Sequence, residues 1–125
     1  MKKLLLIIFT ICYAFSGYSD NAANIYNNLG VAKYRTGDFD GSLDDFNTSI
    51  YIDSTISHHF GNRGIVKLKL NDFRGAMTDF NKAVELNPAS IDTYFNRGSA
   101  QLTAGKYATA ISDFNFIPKF AMSYK

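Results

Sequence analysis

The sequence predicts an all-α protein built as a solenoid of three antiparallel helix pairs. The first observation is that an Asp-Phe-Asn triplet recurs at 45–47, 79–81 and 113–115, which sets a period of 34 residues. The second is that apolar residues within the period follow steps of three and four, the spacing of one helical face. The third is that no insertion breaks the register, as is typical of units that bury their apolar faces by stacking. The units span residues 23–56, 57–90 and 91–124.

The sequence of each unit predicts two helices joined by a tight turn. Gly37, Asn71 and Gly105 occupy equivalent positions between the helices. Gly and Asn are the residues that best tolerate the left-handed conformation that closes a helix. Asp38 and Asp72 follow two of these turns, where a carboxylate can accept hydrogen bonds from the free backbone N–H groups of the next helix.

Small residues recur inside the predicted helices and indicate where helices approach each other. Gly30, Gly64 and Gly98 lie in the first helices, although a glycine inside a helix costs about 1 kcal/mol relative to alanine. This cost indicates that a neighbouring helix needs the space. We expect the recurring phenylalanines to fill the gap between one unit and the next. These residues are Phe46, Phe80 and Phe114, with Ser42, Ala76 and Ala110 facing the glycines.

Residues 1–16 have the three-part layout of a secretory signal peptide. Lys2 and Lys3 give a positive start, an almost wholly apolar run occupies 4–15, and small residues precede a predicted cleavage point after residue 16. A membrane-spanning helix needs about 20 apolar residues, so this run is short for that role. We expect a secreted or periplasmic protein in which 17–22 form a short linker and no membrane contact remains after cleavage.

Composition and charge exclude several classes of protein. Hydrophobic residues make up 46% of the chain and charged residues 19%, which argues against intrinsic disorder. The net charge of +2 falls to 0 once Lys2 and Lys3 leave with the leader, so nucleic acid is not an expected partner. Cys12 is the only cysteine, which rules out a disulfide within the chain. A lipid anchor at Cys12 is disfavoured because the bulky Ile11 precedes it.

No motif in the sequence indicates catalysis, a metal ion or a cofactor. His58 and His59 are adjacent, so on a helix they point about 100° apart and do not share a face. The acidic residues between positions 38 and 45 lack the spacing of a calcium-binding loop. The sequence contains neither a glycine-rich phosphate loop nor a nucleophile elbow. We therefore expect a protein that is not an enzyme and that acts through its surface.

The set of repeated positions resembles the tetratricopeptide repeat family over residues 23–124. The resemblance implies a right-handed superhelix of antiparallel helix pairs. It also implies a concave surface, lined by the first helix of each unit, that holds a protein or peptide segment. A second reading is a structural or self-associating envelope protein that acts through its C-terminal stacking face, and a third is an accessory protein of an envelope enzyme.

The third unit departs from the repeat at its end. Pro118 stands where Val84 lies within a predicted helix of the second unit. Proline inside a helix costs about 3 kcal/mol or more, so we expect the last helix to end near Phe116. The apolar residues that follow would then lie near an uncovered stacking face, either folded back or in contact with a second copy. They include Ile117, Phe120, Met122 and Tyr124.

Helical spacing places one set of side chains from the first helices in the implied groove. The set mixes apolar groups with two cations, which favours a protein or peptide ligand that carries acidic groups. A competing interpretation is that these residues only solvate the concave face. The groove residues are Asn27, Val31, Tyr34, Arg35, Gly61, Ile65, Leu68, Lys69, Phe95, Ser99 and Leu102.

Some chaperone-binding members of the family grip a C-terminal carboxylate with a clamp of Lys, Asn and Arg. Asn27 and Val31 stand where that clamp has Lys and Asn, and Asn96 stands where it has Arg. Only Asn62 matches the clamp. The sequence therefore disfavours carboxylate clamping by this chain.

Overall fold

Six α-helices make up the computed structural model, which describes residues 1–121. They are α1 (Lys2–Thr36), α2 (Phe39–Ile52), α3 (Ser57–Lys69), α4 (Phe73–Leu86), α5 (Ile91–Thr103) and α6 (Tyr107–Ala121). α1 packs on α2, α3 on α4 and α5 on α6, and these pairs adjoin through α2–α3 and α4–α5. No strand occurs within the described residues. The predicted all-α class with three helix pairs is confirmed.

The three turns within the pairs have the predicted left-handed backbone. The φ angles are 85° at Gly37, 63° at Asn71 and 73° at Gly105. After two of the turns, the carboxylates of Asp38 and Asp72 cap the next helices. They accept hydrogen bonds of 2.9 and 2.8 Å from the backbone N–H groups three residues further on. Each pair therefore closes on itself over a short, fixed connection.

The helix glycines make room for a phenylalanine of their own unit. A Cβ atom at Gly64 would lie 2.8 Å from Cε1 of Phe80, and one at Gly30 would lie 2.9 Å from Cε1 of Phe46. The expectation that these rings only fill the gap between units was therefore incomplete. Phe80 does reach the next unit as well, since it shares a buried cluster with Ala100 of α5. The ring joins two helices of one pair and supports the following pair.

The Asp-Phe-Asn triplet serves three contacts at once. In the second unit, Asp79 receives two hydrogen bonds from Arg63 of the same pair, at 2.9 Å from Nε and 2.7 Å from Nη2. Phe80 fills the space at the helix glycine. The Oδ1 atom of Asn81 accepts a 3.0 Å hydrogen bond from Nη1 of Arg97, which belongs to the next unit. The triplet thus fixes the helix pair and its joint to the following pair.

α1 is one continuous helix of 35 residues. Residues 17–22, which we expected to form a linker, are helical and join residues 1–16 directly to the first unit. By length and composition α1 could cross a membrane, a property that signal sequences share. None of the apolar window that gives it this property is buried against the rest of the chain. This apolar segment therefore contributes nothing to the core of the three units.

The last helix does not end before Pro118 as we expected. α6 continues to Ala121, so the predicted end near Phe116 is wrong. A proline removes one backbone donor, but it can kink a helix without ending it. The ring of Phe116 stacks on Tyr94 of α5 with 3.9 Å between centroids, which holds this turn of α6 in place. The expected contacts of the tail depend on side chains outside the described part of the chain, those of Phe120, Met122 and Tyr124.

Candidate protein-binding groove

The first helices of the three units lie side by side. α3 contacts α1 on one side and α5 on the other, while α2, α4 and α6 pack behind them. Pockets open between neighbouring first helices, and most of the predicted groove residues lie in or beside these pockets. The repeat register places the pockets at corresponding points of successive units.

The larger of these pockets, the α3–α5 pocket, has a volume of about 470 Å³. Three of the predicted groove residues, Ile65, Leu68 and Lys69, form its α3 side, and a fourth, Ser99, forms part of its α5 side. Phe73, at the start of α4, closes one wall. The lining is mainly apolar with one cation at the edge, so it suits an apolar side chain that has an acidic neighbour.

The α1–α3 pocket has a volume of about 240 Å³ and repeats this arrangement one unit earlier. Its α1 side is formed by Val31, Tyr34 and Arg35, which lie 34 residues before Ile65, Leu68 and Lys69. Ile65 lines both pockets, so they are neighbours. The chain therefore presents two versions of the same site in a row.

Both pockets are positively charged. Arg35 and Lys69 lie in the last turns of their helices and are exposed. Neither Asp nor Glu occurs among the residues that line these two pockets. Two cations at one repeat spacing favour a ligand with acidic groups.

Two predicted groove residues on α5 are exposed. The side chains of Phe95 and Leu102 are 56% and 50% exposed. Phe95 also lines a third pocket, of about 350 Å³, together with His58, Asp92 and Asn96. Within the described residues, no further first helix packs on α5 at this end of the face.

Asn27 departs from the predicted groove, since its side chain is only 5% exposed. Its Oδ1 atom accepts a 3.0 Å hydrogen bond from Nδ2 of Asn62, which ties α1 to α3. Gly61, at the equivalent position of α3, is also buried. Phe95 holds the same position in α5 but is not covered by a following helix. Helical spacing alone could not distinguish the buried Asn27 and Gly61 from the exposed Phe95, because the burial of this position depends on whether the next unit packs over it.

Comparison with protein families identifies this architecture. One tetratricopeptide repeat model matches residues 23–56, and a second TPR repeat model matches residues 64–105. The chain belongs to the tetratricopeptide repeat family. The two matches together cover more than half of the chain. The first spans residues 23–56, and the second runs from within the second predicted unit into the third. No curated protein matches the chain.

Solved TPR structures share the fold. The second TPR of Spaghetti (RPAP3), bound to the HSP90 peptide SRMEEVD, is 20% identical with a TM-score of 0.76, over 82% of this chain and 94% of that chain. The Arabidopsis OM64 TPR domain is 21% identical with a TM-score of 0.79, over 86% and 88%. The TPR2B domain of yeast Sti1, in a complex described as pHsp70, is 23% identical with a TM-score of 0.74, over 77% of each chain. At these identities the likeness shows the fold alone, and it confirms the TPR solenoid.

The clamp of chaperone-binding TPR domains is not reproduced in this chain. Asn62, the matching residue, already donates to Asn27. The pocket beside it is lined by His58, Asp92 and Asn96 and contains neither Lys nor Arg. A carboxylate at this end of the TPR face would therefore meet the Asp92 carboxylate and no matching cation.

A buried histidine that sequence reasoning did not single out holds the first two TPR units together. The His59 side chain is fully buried. Its Nδ1 atom lies 2.8 Å from Oγ of Ser49, and its Nε2 atom lies 3.3 Å from Oδ1 of Asn24. Burial, followed by the charge of the neighbouring His58, lowers the pKa of His59 to about 4. His59 is thus a neutral joint residue at neutral pH.

The described residues contain no group of three or more His, Cys, Asp or Glu side chains close enough to hold a metal ion. The two pockets between first helices are lined mainly by apolar side chains, with one cation each.

Proposed function

We propose that this TPR chain is a non-catalytic module that binds a protein or peptide segment across α1, α3 and α5. The observation that carries the proposal is the pair of equivalent pockets, each with an apolar lining and one cation. A segment lying across the first helices would insert apolar side chains into both pockets. Its acidic groups would then lie near Arg35 and Lys69.

The comparisons support the general proposal that this TPR chain binds a protein or peptide. Two of the solved TPR structures are complexes with HSP90 or Hsp70 partners. The pockets of this chain favour a different mode of recognition, because their cations lie beside apolar side walls and not at the clamp positions. We infer a ligand whose acidic groups lie within the segment and alternate with apolar side chains.

A displayed library of random peptides tests this function without knowledge of the natural partner. We expect selected peptides to combine acidic and apolar residues and to lose at least roughly tenfold in affinity with an Arg35→Glu/Lys69→Glu double variant. The matched control is Arg74→Glu/Lys82→Glu, which makes the same charge change on α4, behind the groove. Equal binding by both double variants, or selection of basic peptides, would contradict the proposal.

We propose further that the module acts outside the cytoplasm, after cleavage of the leader. The charged start, the short apolar run and the small residues before position 17 support this proposal. The intact mass of protein recovered from the envelope or the medium should correspond to a chain that begins near Gly17. Recovery of the full-length chain from the cytosol, or of an uncleaved chain from the membrane fraction, would exclude cleavage.

A further inference from the structure

The two ends of the solenoid carry complementary apolar faces, and we propose that copies of this chain join head to tail through them. In this joint, α6 of one copy packs on α1 of the next. The joint repeats the α2–α3 and α4–α5 contacts that already occur within the chain. The proposal concerns the ends of the solenoid and is independent of what the groove binds.

The α4–α5 joint shows what such a contact requires. Phe73 and Met77 of α4 pack against a buried cluster that includes the small Ala100 of α5, which is 4% exposed. At the edge of the same joint, Arg97 donates to Asn81 at 3.0 Å. The second helix thus supplies large apolar groups, and the first helix supplies a small residue against which they pack.

α6 presents the large apolar groups of this joint with no following helix packed on them in residues 1–121. Tyr107 and Ile111 lie 34 residues after Phe73 and Met77. Their side chains are 63% and 57% exposed, whereas Phe73 and Met77 are partly buried. Adjacent exposed apolar side chains of this size are typical of a protein–protein contact.

α1 presents the opposite face of the same joint. Ile25, Leu29 and Ala32 lie on one stripe, with steps of four and three residues. Ala32 is exposed, although Val66, its equivalent in α3, is only 1% exposed because α2 covers that face. Ile25 and Leu29 are 51% and 46% exposed. The stripe is therefore the surface that a preceding second helix would cover.

Leu29 makes the α1 face more apolar than the internal joints. Arg63 and Arg97 hold its equivalent positions in α3 and α5, where each binds an aspartate of its own unit. The matching aspartate of the first unit is Asp45, which pairs instead with Lys33 at 2.8 Å. Leu29 cannot form the salt bridge with Asp45 that an arginine could form here. It adds exposed apolar surface to α1 at the end of the stack.

The partner at these faces is a second copy of the chain, because each copy carries both an α6 face and a matching α1 face. α6 of one copy then meets α1 of another in the geometry that the internal joints already use. Such a contact is heterologous and leaves a free face at each end, so it continues beyond a dimer. The pockets between first helices remain open, because the joint uses the end faces and not the groove.

Sedimentation equilibrium on three matched substitutions tests the joint. Ile25→Lys blocks the α1 face, Ile111→Lys blocks the α6 face, and Tyr51→Lys is the control. Tyr51 is 92% exposed on α2, where Glu85 is its equivalent in the next unit. All four proteins are prepared alike and carry the same N-terminus, verified by intact mass. Thermal unfolding by circular dichroism verifies that each variant folds.

We expect the mean mass of the wild type and of Tyr51→Lys to rise with concentration beyond that of a dimer. Ile25→Lys and Ile111→Lys should each associate at least tenfold more weakly. An equimolar mixture of these two should form a dimer that grows no further, because only one pair of intact faces remains. A wild type that stays monomeric up to its solubility limit would overturn the proposal. So would one face variant that self-associates like the wild type, which indicates pairing of like faces, or a mixture that stays monomeric.

Discussion

The middle TPR unit and the last one contain the same internal contact but differ in what covers it. Cβ atoms at Gly64 and Gly98 would each lie 2.8 Å from the ring of Phe80 and of Phe114. Phe80 is nevertheless fully buried, whereas Phe114 is only half-buried. The contact within a helix pair is therefore set by the pair alone, and burial of the pair is completed by the next unit.

The charged contacts show the same difference between the middle and the ends. In the middle unit, both carboxylate oxygens of Asp79 accept hydrogen bonds from Arg63, and Oδ2 also lies 2.9 Å from Nζ of Lys67. In the last unit Gln101 replaces the lysine, and its buried Oε1 atom has no hydrogen-bond partner within the described residues. The last unit thus lacks one of the charged contacts of the middle unit. Because Phe80 is buried more completely than Phe114, loss of the ring should affect the middle unit more.

The largest expected effect is the loss of the middle ring. Phe80→Ala should lower the free energy of unfolding by about 3–5 kcal/mol, the usual cost of truncating a fully buried phenylalanine. Phe114→Ala should cost less, about 2 kcal/mol, because part of its ring already contacts water. Denaturant unfolding of both variants measures the difference. Equal losses, or a loss below about 1 kcal/mol for Phe80→Ala, would mean that the next unit does not complete the core.

A smaller effect is expected when the space at the helix glycine is filled. Gly64→Ala should cost about 1–3 kcal/mol, because the added Cβ overlaps the Phe80 ring and forces the helices apart. Gly61 lies one turn earlier, and a Cβ there meets nothing within 4 Å. Gly61→Ala should therefore stabilise the helix by about 0.5–1 kcal/mol. If Gly64→Ala and Gly61→Ala change the free energy of unfolding in the same direction, the close approach of Phe80 is not the reason for glycine at position 64.

A pH-dependent effect concerns the joint between the first two units, which contains His59. The folded pKa is about 4, below the unfolded value of about 6.5, so the unfolded chain binds the proton first as the pH falls. Stability is therefore complete above pH 6.5 and declines toward pH 4, by at most about 1.4 kcal/mol per pH unit. Denaturant unfolding between these pH values should show this decline, and His59→Gln should reduce it.

His58→Gln serves as the matched control for this pH dependence. Partial desolvation also lowers the pKa of His58, whose side chain remains largely in contact with solvent and lies outside the Ser49 contact. The control should therefore keep most of the decline. A His59→Gln protein that retains the full pH dependence would assign the effect to other groups.

Much of the fold could be predicted because equivalent positions can be compared between the three units. Equivalent positions at Gly37, Asn71 and Gly105 predicted the turns, and the structure gives all three a positive φ. The salt bridge of Arg63 with Asp79 had a signal that we did not use. Arginine and aspartate occur together in two units, and Leu29 replaces the arginine in the first.

Other features depend on contacts that a repeat pattern does not contain. The pattern could not reveal that α3 covers Asn27 while Phe95 stays exposed, because these residues occupy the same place in their units. It could not reveal the burial of His59, since histidine occurs at that position in one unit only. The end of α6 was also predicted wrongly, because the preference against proline was not weighed against the packing of Phe116 on Tyr94. The groove itself stays a prediction, since exposure and pocket shape do not name a ligand.

The most direct test of the proposed function is an NMR titration of the isotope-labelled protein with the tightest peptide from the library. The account predicts that the largest amide shift changes occur on α1, α3 and α5, around Tyr34, Leu68 and Phe95, and that Tyr51 and Arg74 on the second helices do not change. Changes centred on α2 and α4, with none around the two equivalent pockets, would contradict it.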